Sequence, residues 1–135
     1  QEELLNSYDN SILYTDHVLS QLIGTLKEKS QYQTAFWYLS DHGESTGESG
    51  LYLHGAPYAI APSQQTHIPM FMWFSQQWQE NQPSDVNCLS QLKKSTLSQD
   101  NLFPTLINLL GIKTNTADPH LNMLQQCQKT TAPRA

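Results

Sequence analysis

Three residues of the types that bind metal ions lie close together in the sequence. Asp41 and His42 are adjacent, and His54 follows 12 positions later. A carboxylate beside an imidazole is a plausible pair of zinc ligands, because zinc in proteins takes nitrogen and oxygen donors of these kinds. Gly43 lets the backbone turn sharply, so that His54 can return to the same cleft. This spacing predicts a site that binds a metal ion or an anion.

Each of these residues also has a simpler interpretation. The tripeptide Asp41-His42-Gly43 is a common turn, and a single loop histidine such as His54 is more often hydrogen-bonded than a ligand. Glu44 and Glu48 could act as acid or base, but solvated loop carboxylates are the favoured interpretation. The remaining histidines are interpreted as structural: His17, His67 and His120.

The sequence contains only part of what a catalytic zinc site needs. Such a site has three protein ligands and keeps a further position for water or substrate. The hydroxyls of Ser45, Thr46 and Ser49 lie in the same segment, but no base is evidently placed to activate one of them. Taken from the residues alone, these positions form half of an active site.

The elements around the candidate site have an α/β pattern. Apolar residues recur at helical spacing from about Glu2 to Lys29. The continuous apolar runs at 34–39 and 69–74 predict strands buried on both faces of a parallel sheet. Residues 40–67 show no hydrophobic periodicity, which predicts a long loop. A loop of this length usually has a function, and ligands bind beyond the carboxyl ends of strands in such sheets. A further helix is predicted over 101–110, capped by Asp100 and ended by Gly111.

Composition excludes some classes of function. Among the 135 residues, 12 are acidic and 7 are basic, which gives a net charge of −5. No basic cluster is larger than Lys93-Lys94, so nucleic acid is not an expected partner. No segment approaches the roughly 20 apolar residues of a membrane-spanning helix.

Two further features are the start of the sequence and its two cysteines. The sequence begins with Gln1 and a helical pattern starts at once, so we expect the natural N-terminus to lie further upstream. Cys88 and Cys127 could form either a disulfide or two buried thiols. The cysteines therefore do not indicate the compartment.

Several segments together resemble one enzyme family. They are residues 8–16, residues 38–45 with Ser40-Asp41-His42-Gly43-Glu44-Ser45, residues 52–62 with Tyr52-Leu53-His54-Gly55-Ala56-Pro57-Tyr58, and residues 100–111. They resemble the lipid A phosphoethanolamine transferases, including the mobile colistin-resistance enzymes, within the alkaline phosphatase and sulfatase superfamily. The resemblance implies a three-layer α/β/α sandwich. Residues 1–129 would be the C-terminal portion of that catalytic domain and residues 130–135 a flexible tail.

The resemblance also implies a reaction. A membrane-anchored enzyme at the periplasmic face of the bacterial inner membrane would move phosphoethanolamine from phosphatidylethanolamine to a lipid A phosphate. This modification of lipopolysaccharide gives polymyxin resistance. A zinc-bound threonine upstream of these residues would be the nucleophile. Asp41 and His42 match the zinc-binding pair of the family, and His54 matches a histidine that contacts the substrate phosphate or a second metal ion. A monomer is expected.

Two alternatives stay open. A sulfatase or phosphodiesterase of the same superfamily is permitted by the Asp-His-Gly motif, although the segment 52–62 favours the transferases. A non-catalytic remnant is supported by the absence of the nucleophile, of a glutamate ligand and of another phosphate-side histidine from these residues. We expect the fragment to be inactive alone.

Overall fold

A computed structural model describes the backbone of residues 1–130 and the side chains of residues 1–127. Helices and strands both contribute to it, and the chain divides into two compact units, Gln1–Trp78 and Gln79–Ala135. Within the described residues the strands are β1 Ala35–Leu39, β2 Ser45–Thr46, β3 Tyr52–Leu53 and β4 Met70–Phe74. The helices are α1 Glu2–Lys27, α2 Ser63–Thr66, α3 Gln76–Asn81, α4 Pro83–Gln91, α5 Leu102–Leu109 and α6 Met123–Thr130. Short 3-10 turns connect several of them.

Helix α1 confirms the predicted first helix to within two residues of its end. Glu2 and Glu3 lie in its first turn and Lys27 in its last, so these charges interact favourably with the helix dipole. None of its residues is buried. One stripe is half-buried, and it consists of Tyr8, Thr15, Leu19, Ile23 and Leu26. Other apolar side chains of the helix stay exposed, among them Leu13 at 67% and Tyr14 at 70%.

Strands β1 and β4 confirm the two predicted strands but not their direction. They pair antiparallel, with Trp37 opposite Met72 and Tyr38 opposite Phe71. The prediction of strands buried on both faces of a parallel sheet is wrong for this pair. The two strands are mostly half-buried, and a continuous apolar run carries no information about strand direction. Aromatic rings link the strands across the pair, with the Tyr38 and Phe71 centroids 5.4 Å apart. Because β1 ends at Leu39, residues 40–46 begin at the C-terminal end of this strand.

The segment 40–67 is more ordered than the sequence predicts. Strands β2 and β3 form an antiparallel hairpin in which Ser45 lies opposite Leu53 and Thr46 opposite Tyr52. Helix α2 follows before β4 begins. Strands of two residues and a helix of four are too short to produce a hydrophobic period, which explains why the sequence reads as a loop.

The second unit has its own small core. Cys88 and Cys127 form a disulfide, and Leu124 is buried beside them. Leu89, Leu92 and Leu109 pack against this cluster. The disulfide thus joins α4 to α6, a helix that has no predicted counterpart. The structure decides between the two cysteine states that the sequence left open.

Helix α5 confirms the predicted helix after residue 100, but Asp100 does not cap it. The N-cap residue of α5 is Asn101, whose side chain makes no capping hydrogen bond to the helix. Ser98 caps the 3-10 turn before α5: its hydroxyl accepts from the amide of Asp100, and the Asn101 side chain accepts from the amide of Ser98. The prediction missed the 3-10 turn Gln99–Asn101 that precedes the helix. Gly111 follows the helix with a φ of 67°, as predicted for a glycine that ends it.

The predicted tail, residues 130–135, lies outside the described residues apart from the backbone of Thr130, which ends α6. Within residues 1–130, no helix combines the length and the apolar character that crossing a bilayer requires.

Candidate metal centre

The structure brings His42 and His54 into direct contact. Their rings stack with centroids 3.8 Å apart and an interplanar angle of 28°. His42 belongs to residues 40–46, which leave β1 and enter β2, and we call them the first arm. His54 belongs to residues 52–56, which start with β3, and we call them the second arm. The β2–β3 hairpin connects the two arms.

The Glu44 carboxylate lies beside both imidazoles. Its Oε2 atom is 3.0 Å from Nδ1 of His54 and 3.8 Å from Nδ1 of His42. Its side chain is 24% exposed, against 42% for His42 and 52% for His54. The interpretation of Glu44 as a solvated loop carboxylate was therefore wrong, because the fold turns it inward onto the histidines. The sequence signal was its position two residues after His42.

Hydrogen bonds assign the donor nitrogen of both rings. Nδ1 of His54 contacts a carboxylate, and Nδ1 of His42 contacts the carbonyl oxygen of Gly43 at 2.9 Å. Neither a carboxylate nor a carbonyl oxygen can donate, so Nδ1 is the donor in each ring and the Nε2 atom is not used in these bonds. Histidine ligands of metal ions usually donate their other ring N–H to such acceptors.

Asp41 lies at the outer side of this group. Its Oδ2 atom is 3.8 Å from Nε2 of His42, and its Oδ1 atom accepts from the amide of His42 at 3.0 Å. The side chain is 89% exposed. The carboxylate is thus on the Nε2 side of the ring, where a second ligand to an ion bound at Nε2 would be needed.

The donor set suits zinc. His42, Glu44 and His54 each offer one ligand atom, and these atoms lie within 4.8 Å of one another. Among the side chains of residues 1–127, they are the one group of three His, Cys, Asp or Glu residues with such spacing, and Asp41 is not a member of it. Two imidazole nitrogens and carboxylate oxygens are ligands that zinc takes readily. The residues present therefore fit the metal that the resemblance implies.

Gly43 allows the first arm to pass close to α2. Its amide donates to the carbonyl oxygen of Gln65 at 3.0 Å. A Cβ atom at this position would overlap the carbonyl oxygen of Gln64. Gly43 is therefore required by a close approach of two backbones rather than by its φ angle.

Glu48 has a structural role in the turn between β2 and β3. Its carboxylate accepts from the amide of Thr46 at 2.7 Å and from the Thr46 hydroxyl at 3.1 Å. Hydrogen bonds from its own backbone amide and from that of Thr46 lower the pKa of Glu48 below its usual 4.5. A carboxylate thus lies beside one of the three loop hydroxyls, that of Thr46. Thr46 is only 6% exposed, so this hydroxyl is not open to a substrate.

Comparison with protein families gives one match. The family model described as Sulfatase matches residues 1–112. Among curated relatives, phosphoethanolamine transferase EptA of Escherichia coli (strain K12) is 44% identical over 133 residues, which are 97% of this chain and 24% of that protein. Phosphatidylethanolamine transferase Mcr-1 of Escherichia coli is 38% identical over 112 residues, 82% of this chain and 19% of that protein. The chain thus spans about a quarter or less of the length of these relatives.

Two solved structures resemble this chain closely. The C-terminal periplasmic domain of phosphoethanolamine transferase EptC from Campylobacter jejuni matches with a TM-score of 0.78 and 49% identity over 89% of this chain and 37% of that chain. The soluble domain of lipooligosaccharide phosphoethanolamine transferase A from Neisseria meningitidis matches with a TM-score of 0.83 and 42% identity over 92% of this chain and 38% of that chain. These matches confirm the predicted fold class, an α/β fold of the alkaline phosphatase and sulfatase type.

Proposed function

Because this chain belongs to the sulfatase family, we propose that it forms part of a zinc-dependent enzyme that transfers phosphoethanolamine from phosphatidylethanolamine to a lipid A phosphate. Residues 1–129 are proposed to be the C-terminal portion of the catalytic domain. The proposal is supported by relatives that are named phosphoethanolamine transferases, one of them a Kdo(2)-lipid A phosphoethanolamine transferase. Polymyxin resistance would follow from the modified lipopolysaccharide.

The observation that carries the proposal is the stacked pair of histidines with the Glu44 carboxylate beside both rings. Asp41 and His42 would hold the zinc ion, and His54 would bind the phosphate of the substrate or a second metal ion. Bound zinc supplies positive charge that stabilises phosphoryl oxygens and lowers the pKa of a coordinated hydroxyl. Glu44 accepts a hydrogen bond from Nδ1 of His54, which would leave the Nε2 atom of that ring for the phosphate or the metal ion.

The attacking hydroxyl is proposed to belong to a threonine outside this chain. Its oxygen would form a bond to the donor phosphorus while the diacylglycerol oxygen leaves and takes up a proton. The lipid A phosphate would then attack the phosphoethanolamine ester and release the threonine.

The periplasmic face of the inner membrane is the proposed location of the whole protein, held there by a membrane region outside these residues. One similar structure is titled a periplasmic domain and another an integral membrane protein. The Cys88–Cys127 disulfide supports this location, because disulfides persist in the oxidising periplasm. A monomer is proposed.

A sulfatase or phosphodiesterase is the second candidate. It is favoured by the description of the matching family model, which covers residues 1–112. A non-catalytic remnant is the third candidate, since the nucleophilic threonine that the resemblance implies is not among these residues.

The test uses the whole natural protein that contains this chain. It is expressed in bacteria whose lipid A is then analysed by mass spectrometry, and the purified protein is analysed for zinc. We expect lipid A to gain phosphoethanolamine and the Asp41→Ala/His42→Ala double variant to lose at least about 100-fold in transfer together with its zinc. His67→Ala, at an exposed histidine outside the cluster, is the matched control.

Other outcomes separate the three candidates. Unmodified lipid A together with release of sulfate or inorganic phosphate from aryl esters would favour the second candidate. Zinc-free protein that turns over none of these substrates would favour the third.

A further inference from the structure

Gln65 lies outside both arms of the candidate metal centre, on α2, and it is buried with 7% of its surface exposed. Glutamine is mostly exposed in proteins, and a buried amide is costly unless its donors and acceptors are paired. The partners of this amide therefore indicate what it does.

Gln65 contacts the first arm twice. Its Nε2 atom donates to the hydroxyl of Ser45 at 2.8 Å, and its backbone oxygen accepts from the amide of Gly43 at 3.0 Å. Ser45 is itself buried, with 2% exposed. These two bonds hold Gly43 and Ser45, the residues on either side of Glu44. Gly43 is also the residue that follows His42.

The same side chain also contacts the second arm. Its Oε1 atom accepts from the amide of Ala56 at 3.2 Å. Ala56 lies two residues after His54, so one amide group joins the chain segment of each stacked imidazole to the same point of α2.

The hairpin that otherwise connects the arms is short and strained. Each of its strands has two residues, and isolated hairpins of this kind are marginally stable at best. Leu53, directly before His54, has a φ of 63°, a left-handed conformation that costs a non-glycine residue energy and persists only when its surroundings hold it. A further connection between the arms is therefore needed to keep His54 in place.

We propose that Gln65 is a positioning residue that holds the first and second arms at the separation at which the His42 and His54 rings stack and both face Glu44. It acts through the backbone of the arms and contacts no reacting group. The geometric part of this inference is independent of the reaction, whereas its kinetic part rests on the proposed function.

The first experiment measures geometry. Crystal structures of the whole protein are compared for the wild type, Gln65→Met and Gln64→Met. Methionine is close to glutamine in size and has no hydrogen-bonding amide, and Gln64 is the exposed neighbour on the same helix. We expect the ring separation of His42 and His54, 3.8 Å here, to increase in Gln65→Met and to be kept in Gln64→Met. Stacked rings at an unchanged separation in Gln65→Met would overturn the proposal.

A second variant covers the case in which Gln65→Met does not fold. Gln65→Asn keeps the amide but is one methylene shorter, so it cannot reach Ser45 and Ala56 together. We expect its rings to separate as well. Rings that stay stacked in this variant would equally overturn the proposal.

The second experiment is a double-mutant cycle on activity. Loss of a group that orients a ligand typically costs about 10–100-fold, and we expect Gln65→Met to lower kcat/KM by this factor. In a His54→Ala background the same substitution should change kcat/KM by no more than about twofold, because Gln65 would act through His54. Equal losses in both backgrounds would indicate general damage and contradict the positioning role.

The two experiments also separate the two proposals. If the wild-type protein transfers no phosphoethanolamine, the proposed function fails. The ring separation in the Gln65 variants then still decides the role of Gln65.

Discussion

Single hydrogen bonds determine which atoms of the two histidines can bind a ligand. The Gly43 carbonyl and the Glu44 carboxylate each occupy one Nδ1 atom, at 2.9 and 3.0 Å. Both Nε2 atoms therefore remain available as ligands. Glu44 lies with His42 and His54 in one cluster, although its residue type alone favoured a solvated position.

We predict that Gly43→Ala damages the first arm. The added methyl group would overlap the Gln64 carbonyl oxygen, so the arm must move and its bond to Gln65 is lost. Overpacking of this kind typically costs about 1–3 kcal/mol, which a urea denaturation curve would measure. Zinc affinity should fall in the same variant.

Gly24→Ala is the matched control for this prediction. Gly24 lies in α1, and nothing is within 4 Å of a Cβ atom there. Alanine in a helix interior is favoured over glycine by about 0.5–1 kcal/mol, so this variant should be slightly more stable than the wild type. A Gly43→Ala protein as stable as Gly24→Ala would contradict the close approach.

The pKa of Glu48 leads to a prediction about pH. Because hydrogen bonds hold this pKa below 4.5 in the folded state, the ionised carboxylate stabilises the fold above the unfolded-state pKa. That stabilisation is lost as pH falls through the lower, folded-state value. Glu48→Gln, which is neutral throughout, should be less stable than the wild type at neutral pH. The difference in free energy of unfolding between the wild type and Glu48→Gln should shrink as the pH falls from about 6 to about 3.

Urea denaturation at several pH values would measure this difference. A difference that stays constant with pH would show that the hydrogen bonds to Thr46 do not depend on the charge of Glu48.

At the scale of elements, the two units are held together internally in different ways. The first unit relies on the β1–β4 pair and on hydrogen bonds to the arms. In the second unit, a disulfide joins α4 to α6 beside Leu124, and the hydroxyl of the fully buried Thr105 in α5 accepts from the amide of Met123 at the start of α6. A cross-link compensates for the small size of this core.

We predict that loss of the Cys88–Cys127 disulfide destabilises the second unit. The cysteines are 39 residues apart, and a loop of that length contributes about 3–4 kcal/mol through the entropy of the unfolded chain. Urea denaturation of Cys88→Ser/Cys127→Ser should show this loss. Wild-type protein treated with a reductant is the control and should match the double variant. A reductant without effect on the wild type would contradict the structure.

At the scale of the whole molecule, the proposed zinc binding would be coupled to stability. A ligand that binds only the folded state adds about 2.7 kcal/mol at 100 times its dissociation constant. We predict that zinc raises the thermal midpoint of the whole protein and that Asp41→Ala/His42→Ala abolishes this shift. Differential scanning calorimetry with zinc, and with magnesium as the control ion, would measure it. An equal zinc shift in the double variant would place the ion elsewhere.

The amino-acid sequence was sufficient for the longer elements and for the approximate position of the site. Helix α1, strands β1 and β4 and helix α5 each span enough residues to produce a period or an apolar run. The position of Asp41 and His42 directly after a buried strand indicated a site because strand ends are where such sheets bind ligands. The motifs 38–45 and 52–62 also indicated the family.

Only the tertiary structure decided the features that depend on contacts between distant residues. Strand direction in the β1–β4 pair, the Cys88–Cys127 disulfide and the inward position of Glu44 are of this kind. The role of Gln65 is another, because its partners lie 20 and 9 positions away. Local sequence determines local conformation, whereas these contacts arise when separate segments share one packed interior, and no short-range pattern records which segments will meet.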